Sequence, residues 1–164
     1  MAKLNRFHKS QILPISLDQA WDFFSNPNNL PEITPPDLGF KVLSHPKDHL
    51  GEMAEEMYPG MILSYSVTPF LGFKSLWVTE ITQVQNKAYF IDEQRIGPYK
   101  LWHHEHHFIA ESNGFVRVED LIHFILPFGW LGDFFAGAFV RGQVEKIFKY
   151  RSLVLDKKLS TKSI

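Results

Sequence analysis

The stretch Tyr99–Leu126, YKLWHHEHHFIAESNGFVRVEDLIHFIL, contains two runs in which every second residue is mostly apolar, separated by Ser-Asn-Gly. A period of two is typical of β-strands that bury one face. The separator suits a three-residue hairpin loop, a type I turn followed by glycine in the left-handed region. We therefore predict an antiparallel hairpin in which Glu111 lies opposite Phe115.

This register brings faces of the same kind together, because the even-numbered positions of both runs are mostly apolar. A two-residue Asn-Gly loop would pair even positions with odd ones, which the hydrophobic pattern disfavours. The pairs predicted across the hairpin are Trp102 with Phe124, His104 with Ile122, His106 with Asp120, and Phe108 with Val118.

Four of the chain's eight histidines lie within residues 103–107. Strand geometry divides them between two faces. We predict that His104 and His106 point inward with Asp120, since their face is bounded by aromatic residues. An inward carboxylate needs a partner, because an unpaired buried charge is costly. The outer, solvated face is predicted to hold His103, Glu105 and His107.

The rest of the chain predicts an α+β fold with one domain, residues 1–158, followed by a frayed tail, residues 159–164. A curved antiparallel sheet of six to seven strands would surround one long C-terminal helix, with two short helices after the first strand. The predicted strands are Lys3–Ile15, a short run at GFKVLSH, Met57–Val67, Phe73–Val84, Lys87–Ile96, Tyr99–Glu111 and Phe115–Leu126. The predicted long helix covers about 131–158, with an apolar stripe of Leu131, Phe135, Ala138, Val144, Ile147, Phe148 and Leu155.

Composition excludes several classes of function. The formal net charge of −1 shows no excess of basic residues, so we expect no nucleic-acid binding, and the lack of cysteine excludes disulfides and thiolate zinc sites. The apolar stretch 126–140 is shorter than the roughly 20 residues of a membrane-spanning helix. The N-terminal residues lack the apolar core of a signal peptide, so we expect a cytoplasmic protein.

Several motifs together resemble those of a known superfamily. They are FIDEQ at 90–94, GPY at 97–99, the residues Trp102, His104, His106 and Phe108, then Asp120, Ile122 and Phe124, LPFGWLG at 126–132, and IFKYR at 147–151. The chain resembles the SRPBCC (START and polyketide cyclase/dehydratase-like) helix-grip superfamily over nearly its whole length. The closer likeness is to a bacterial branch described as ligand-binding or as cell-division inhibitors. The resemblance implies a largely apolar cavity between sheet and helix, without specifying one activity.

We therefore predict a protein that binds a small hydrophobic molecule, with inward histidine and aspartate side chains orienting the ligand. The orientation of Asp92 and Gln94 stays open, because a turn at Ile96–Pro98 is only one of the connections that the sequence allows. The predicted ligand-binding residues are Trp77, Phe90, Asp92, Gln94, Trp102, His104, His106, Phe108, Asp120, Ile122, Phe124 and Phe135.

The alternative is a cyclase or dehydratase-like enzyme in the same cavity. His106 would act as base, Asp120 would orient it, and His104 would donate to a developing oxyanion. No catalytic residue is assured by the sequence. We predict no cofactor and no metal, since a third ligand beside the two histidines is not secure.

Aromatic residues also surround the start of the predicted long helix: Phe128, Trp130, Phe134 and Phe135. They can cap the core or contact a membrane, and we favour the first interpretation. The small apolar ligand is the expected partner, with no nucleic acid. The oligomeric state stays open, because an exposed edge strand can pair with a second copy.

Overall fold

The structure is a computed structural model, and it describes residues 2–44, 56–70 and 73–160. The strands are β1 (Asn5–Leu13), β2 (Lys41–Val42), β3 (Ile62–Phe70), β4 (Phe73–Gln85), β5 (Tyr89–Ile96), β6 (Leu101–Ala110) and β7 (Val116–Ile125). The helices are α1 (Leu17–Phe24), two 3₁₀ segments (Pro27–Ile33 and Pro36–Leu38) and α2 (Gly129–Ser160). This order confirms the predicted α+β fold.

The seven strands form one antiparallel sheet in the order β1-β7-β6-β5-β4-β3-β2. β3 to β7 follow one another as a meander, whereas β1 returns to pair with the last strand. The first strand, β1, therefore lies between β7 on one side and helix α2, which packs against it.

The hairpin of β6 and β7 has the predicted register. His104 lies opposite Ile122 and His106 opposite Asp120. The loop is the predicted three-residue one, because the Glu111 amide donates to the Phe115 carbonyl over 2.9 Å. Gly114 adopts a positive φ of 80°, which an L-residue with a side chain rarely tolerates. Alternation and turn chemistry thus suffice to fix this pair of strands.

The connection from β5 to β6 is longer than the turn considered at Ile96–Pro98. Phe90 pairs with His106 and Asp92 with His104, two positions away from the pairing that this turn would give. The Gln94 side chain explains the longer loop: its Nε2 donates to the Tyr99 carbonyl over 2.7 Å, and its Oε1 accepts from the Tyr99 amide. This register turns Asp92 inward, beside the histidines.

Helix α1 covers one end of the sheet. Ser16 begins it with a capping box, in which the Ser16 side chain accepts from the Gln19 amide and the Gln19 side chain accepts from the Ser16 amide. Trp21 and Phe24 are buried, with ring centroids 5.5 Å and 5.6 Å from that of Phe108. The Phe108 ring is therefore enclosed by helix α1.

The second half of the predicted stripe on α2 is confirmed, because Val144, Phe148 and Leu155 are buried. The first half is wrong: Phe135 is 78% exposed, and Ala138 is exposed as well. The buried face instead runs back from Val144 to Val140, and Phe135 lies roughly 140° around the helix from Val140. Leu131 was also predicted on the stripe, but its side chain lies outside the described residues.

Helix α2 ends at Ser160, two residues beyond the predicted boundary of the tail, and Leu159 is buried in it. The tail residues 161–164 lie outside the described residues.

Candidate functional site

A cavity of about 210 Å³ lies between the sheet and helix α2. Side chains from β3, β4, β5, β6, the first 3₁₀ segment and α2 surround it. Most of its wall is apolar or aromatic, and its polar side chains include a group supplied by β5, β6 and α2. The apolar wall includes Leu63, Tyr65, Val67, Trp77, Ile81, Phe90, Trp102, Val144, Ile147 and Phe148, and the polar group consists of Asp92, His104, His106 and Arg151.

Two imidazoles and two carboxylates form the centre of this polar group. His104 Nε2 lies 3.0 Å from Asp120 Oδ1, and His106 Nε2 lies 3.0 Å from Asp92 Oδ2. His104 Nδ1 lies 3.4 Å from the same Asp92 oxygen. The two imidazole centroids are 3.7 Å apart, and the Phe90 ring stacks on His106 at 4.1 Å. Each histidine is therefore placed between Asp92 on one side and Asp120 on the other.

One nitrogen of this cluster has no hydrogen-bond partner. His106 Nδ1 lies 3.1 Å from Asp120 Oδ1, but the contact is too oblique for a hydrogen bond. Such a buried polar atom is costly unless a small ring movement or a ligand satisfies it.

Arg151, on helix α2, forms an ion pair with the Asp120 carboxylate. Its Nη1 lies 3.1 Å from Asp120 Oδ1, and the two side chains are only 8% and 7% exposed. The guanidinium also lies 5.0 Å from the centroid of the Phe24 ring and 5.4 Å from that of Phe148. Aromatic faces attract a desolvated cation, so these rings help to hold Arg151 against Asp120.

The environment moves the pKa values of these groups in different directions. Burial raises the pKa of Asp120, but the Arg151 charge and contacts from the two histidines outweigh it and hold this pKa well below its usual range. Burial lowers the pKa of His104, and the charge of His106 lowers it further. Burial also lowers the pKa of His106, but the carboxylates of Asp120 and Asp92 outweigh this effect and raise it. His106 is therefore the imidazole that holds a proton more readily.

The other histidines of β6 lie on the opposite face, as the alternation predicts. His103 Nδ1 is 3.0 Å from Glu93 Oε1, and His107 Nε2 is 2.9 Å from Glu105 Oε2. These side chains are about one third exposed. They form a partly solvated surface cluster that is separate from the cavity.

Half of the predicted ligand-binding residues lie on the cavity wall: Trp77, Phe90, Asp92, Trp102, His104 and His106. The others lie elsewhere, for identifiable reasons. Gln94 holds the β5–β6 loop, and Asp120 lies behind the imidazoles. Phe108 is enclosed by α1, and Ile122 and Phe124 are covered by Val144 and Phe148 of α2. The prediction that Phe135 contacts the ligand is wrong, because Phe135 is exposed on α2 and is not part of the cavity wall.

Sequence reasoning does not find Arg151 as a site residue. A usable signal exists, since Arg151 stands on the buried face of α2, with Phe148 three residues before it and Leu155 four residues after it. A charged residue on an otherwise apolar helix face needs a buried partner of opposite charge. Asp120, the one acid on the inward face of β7, fits that requirement.

Three aromatic residues near the start of α2, Phe128, Phe134 and Phe135, do not cap the core. Phe128 is 85% exposed and Phe134 is 76% exposed. The interpretation of these two residues, and of Phe135, as core caps is therefore wrong, and the side chain of Trp130 lies outside the described residues. None of the helices within the described ranges is long and apolar enough to cross a membrane.

A scan against models of protein families finds no match for this chain, and a search of curated proteins finds none either. Solved structures do match. A START superfamily protein from Mycobacterium smegmatis superposes with a TM-score of 0.68 at 10% identity, covering 96% of this chain and 99% of that chain. Ginseng major latex-like protein 151 from Panax ginseng superposes with a TM-score of 0.66 at 11% identity, covering 95% of this chain and 97% of that chain.

A third match is a norcoclaurine synthase variant from Thalictrum flavum, solved with a transition-state analogue. Its TM-score is 0.63 at 15% identity, with 96% of this chain and 98% of that chain covered. The sheet, the long helix and these likenesses define a helix-grip protein. The chain has the helix-grip fold that the resemblance of its motifs predicts. At such identities the likeness shows the fold alone.

Proposed function

We propose that the protein binds a small, largely apolar molecule in the cavity between the sheet and α2. The observation that carries this proposal is an apolar chamber with a few polar groups gathered in its wall, which is the usual form of a small-molecule site. His104, His106 and Asp92 would hydrogen-bond the ligand's polar group, while Trp77 and Ile147 would contact its apolar part.

The cavity volume limits the size of that molecule. An apolar cavity of about 150 Å³ accommodates a benzene ring. The present cavity, at about 210 Å³, is somewhat larger but below the roughly 300 Å³ at which sites for drug-sized molecules begin. We therefore infer a ligand of one or two small rings, or a comparable short chain, with one hydrogen-bonding group.

A pair of tryptophan substitutions on α2 tests this proposal. Ile147 lies on the cavity wall, and Leu153 is exposed on the same helix. We expect Ile147→Trp to fill the cavity and weaken binding of the two-ring fluorescent probe 1-naphthylamine at least tenfold. Leu153→Trp should bind the probe as the unmodified protein does. Equal probe binding by both variants, with both folded by circular dichroism, would contradict the proposal.

The identity of the natural ligand is accessible by native mass spectrometry and organic extraction of the purified protein. We expect a small apolar compound in extracts of the unmodified protein and of Leu153→Trp, and its loss from Ile147→Trp. A compound that co-purifies equally with all three proteins would have to bind outside the cavity.

A second candidate is a proton-transfer enzyme of the cyclase or dehydratase type. The contact of His106 Nε2 with Asp92 Oδ2, 3.0 Å at the cavity wall, favours it, because a carboxylate can orient a histidine that exchanges protons with a substrate. Asp92 would then take the orienting position for which the sequence suggested Asp120. Incubating the extracted compound with fresh protein separates the two functions. A compound that stays unchanged indicates binding alone. A compound that is dehydrated by the unmodified protein, but not by His106→Gln, indicates an enzyme.

A further inference from the structure

Two histidine nitrogens face one carboxylate oxygen at the cavity wall. Asp92 Oδ2 lies 3.0 Å from His106 Nε2 and 3.4 Å from His104 Nδ1. The register places these groups together, because Asp92 pairs directly with His104, and His106 is two residues further along β6 on the same face. One ligand atom from each of the three residues lies within 4.8 Å of the others.

When His104 is neutral, no hydrogen atom lies between His104 Nδ1 and Asp92 Oδ2. A carboxylate only accepts hydrogen bonds, so the His104 nitrogen that faces Asp120, Nε2, must carry the ring's proton. Nδ1 is then a bare lone pair that faces an electron-rich oxygen of Asp92. Two electron pairs facing each other at a buried point repel, and a cation between them would turn the repulsion into attraction.

The unpartnered atom of the cluster supports the same conclusion. His106 Nδ1 is buried without a hydrogen bond, 3.1 Å from Asp120 Oδ1. If a cation bound His106 Nε2, the neutral ring would take the tautomer that carries its single proton on Nδ1; a ring that was protonated beforehand would release its Nε2 proton to solvent. A small ring rotation would then let Nδ1 donate to Asp120. One ion would thus bind the lone pair of His104 Nδ1 and leave His106 Nδ1 with a hydrogen-bond partner.

We propose that His104 Nδ1, His106 Nε2 and Asp92 Oδ2 bind one divalent transition-metal ion of the zinc or iron(II) class. The proposal goes beyond the binding of an apolar molecule, because an ion can bind whether or not the rest of the cavity holds a ligand. Imidazole nitrogens with one carboxylate are the donors that these metals take in proteins.

The two distances to Asp92 Oδ2 suit such an ion. Metal bonds of about 2.0 to 2.2 Å place neighbouring ligand atoms roughly 3.0 Å apart in an octahedron and roughly 3.4 Å apart in a tetrahedron. The two ligand separations at Asp92, 3.0 and 3.4 Å, span those values. Coordination positions left open by the three residues would face the cavity, where water or an oxygen of a bound molecule can enter.

The residues behind the ligands complete the arrangement. Metal-bound histidines usually donate their second N–H to a carboxylate, which fixes the ring and its tautomer. Asp120 Oδ1 lies 3.0 Å from His104 Nε2 and 3.1 Å from His106 Nδ1, so one carboxylate supports both rings. Arg151 in turn holds Asp120 from α2. Asp120 is therefore a positioning residue in this proposal, and Asp92 is the ligand.

Cobalt(II) is a suitable probe, because its visible absorption reports both the number of bound ions and their coordination. The protein should be purified without a histidine tag and treated with a chelator before titration. We expect saturable binding of one equivalent per chain. Asp92→Ala and His104→Ala should each weaken it at least tenfold, and Asp120→Asn should weaken it by about 10- to 100-fold.

The histidines on the outer face of the same strand provide the matched control. The double variant His103→Ala/His107→Ala keeps the inner cluster and removes the surface imidazoles. We expect it to bind cobalt as the unmodified protein does. The absence of saturable binding, or its loss in this outer variant with retention in the inner ones, would overturn the proposal.

X-ray absorption spectroscopy of the zinc-loaded, unmodified protein tests the proposal even where an inner variant fails to fold. Two imidazoles and at least one oxygen at about 2.0 to 2.2 Å would support it, and a spectrum with one imidazole or none would refute it. The probe-binding comparison of Ile147→Trp and Leu153→Trp is independent of metal. A failure of the metal site is thereby distinguishable from a failure of the apolar site.

Discussion

Replacing Arg151 by methionine tests the internal charge balance of the cluster. The methionine keeps most of the side-chain volume but removes the cation that lies 3.1 Å from Asp120. At an effective dielectric constant of about 20, unit charges at that distance attract by roughly 5 kcal/mol. Part of this attraction only offsets the cost of burying the guanidinium, and both histidines still contact Asp120. We therefore expect Arg151→Met to lower the free energy of unfolding by about 3 kcal/mol, the low end of the range for breaking a buried pair from one side.

Urea denaturation followed by circular dichroism at neutral pH measures this loss. The control is Lys146→Met, which breaks an ion pair with Asp37 in which both side chains are about 60% exposed. Such surface pairs contribute less than about 1 kcal/mol. The double variant Arg151→Met/Asp120→Asn removes both charges, so its loss should be clearly smaller than the sum of the two single losses.

The result that would refute this reasoning is an equal loss for Arg151→Met and Lys146→Met. Strict additivity of Arg151→Met and Asp120→Asn would refute it as well, because two residues that stabilise each other cannot act independently. Either outcome would mean that Arg151 does not compensate the buried carboxylate.

The remaining predictions concern acid stability and the two faces of α2. The lowered pKa of Asp120 stabilises the fold at neutral pH, and this contribution disappears as the pH falls below the usual carboxyl pKa of 3.8. In acid titrations followed by circular dichroism, Asp120→Asn should therefore lose less stability than the unmodified protein as the pH falls below about 4. An equal loss of stability in the two proteins would contradict this. Phe148→Ala should cost about 3 to 5 kcal/mol in urea denaturation, since it empties a buried position. Phe134→Ala should change stability by about 0.5 kcal/mol or less. Equal losses of stability in the two variants would contradict the assignment of Phe148 to the buried face of α2 and of Phe134 to the exposed face.

The hairpin of β6 and β7 can be predicted from sequence because all its determinants are local. Alternation decides the faces, and a loop ending in Gly114 decides the register. From these two features follow the inward positions of His104, His106 and Asp120. The resemblance of the motifs then extends the prediction to the whole fold.

The second acid of the cluster, Asp92, could not be placed in the same way. The orientation of Asp92 depends on the length of the β5–β6 loop, and that length is set by the Gln94 side chain binding the Tyr99 backbone. Both faces of β5 carry apolar and polar residues, so alternation does not decide between them. Side-chain hydrogen bonds to loop backbone have no periodic signature in a sequence.

The first half of α2 differs from the prediction for a related reason. Phe135 fits the spacing of an apolar stripe, but it lies away from the face on which Val140 and Val144 are buried, and its ring stays exposed. Periodicity shows that a helix has an apolar face, whereas the partner that covers the face depends on the tertiary structure. Arg151 is a charged residue on the buried stripe, and its position is explained only by the tertiary structure, which places Asp120 opposite it.

The central claim is that an apolar cavity with the imidazoles of His104 and His106 in its wall lies beneath α2. A crystal structure of the protein under xenon pressure tests it directly, because xenon enters apolar cavities without needing a matched polar group. We expect a xenon atom in contact with Trp77 and Ile147, with both imidazoles at the edge of the same space. A structure in which side chains fill that space, or in which the two histidines face bulk solvent, would contradict the claim.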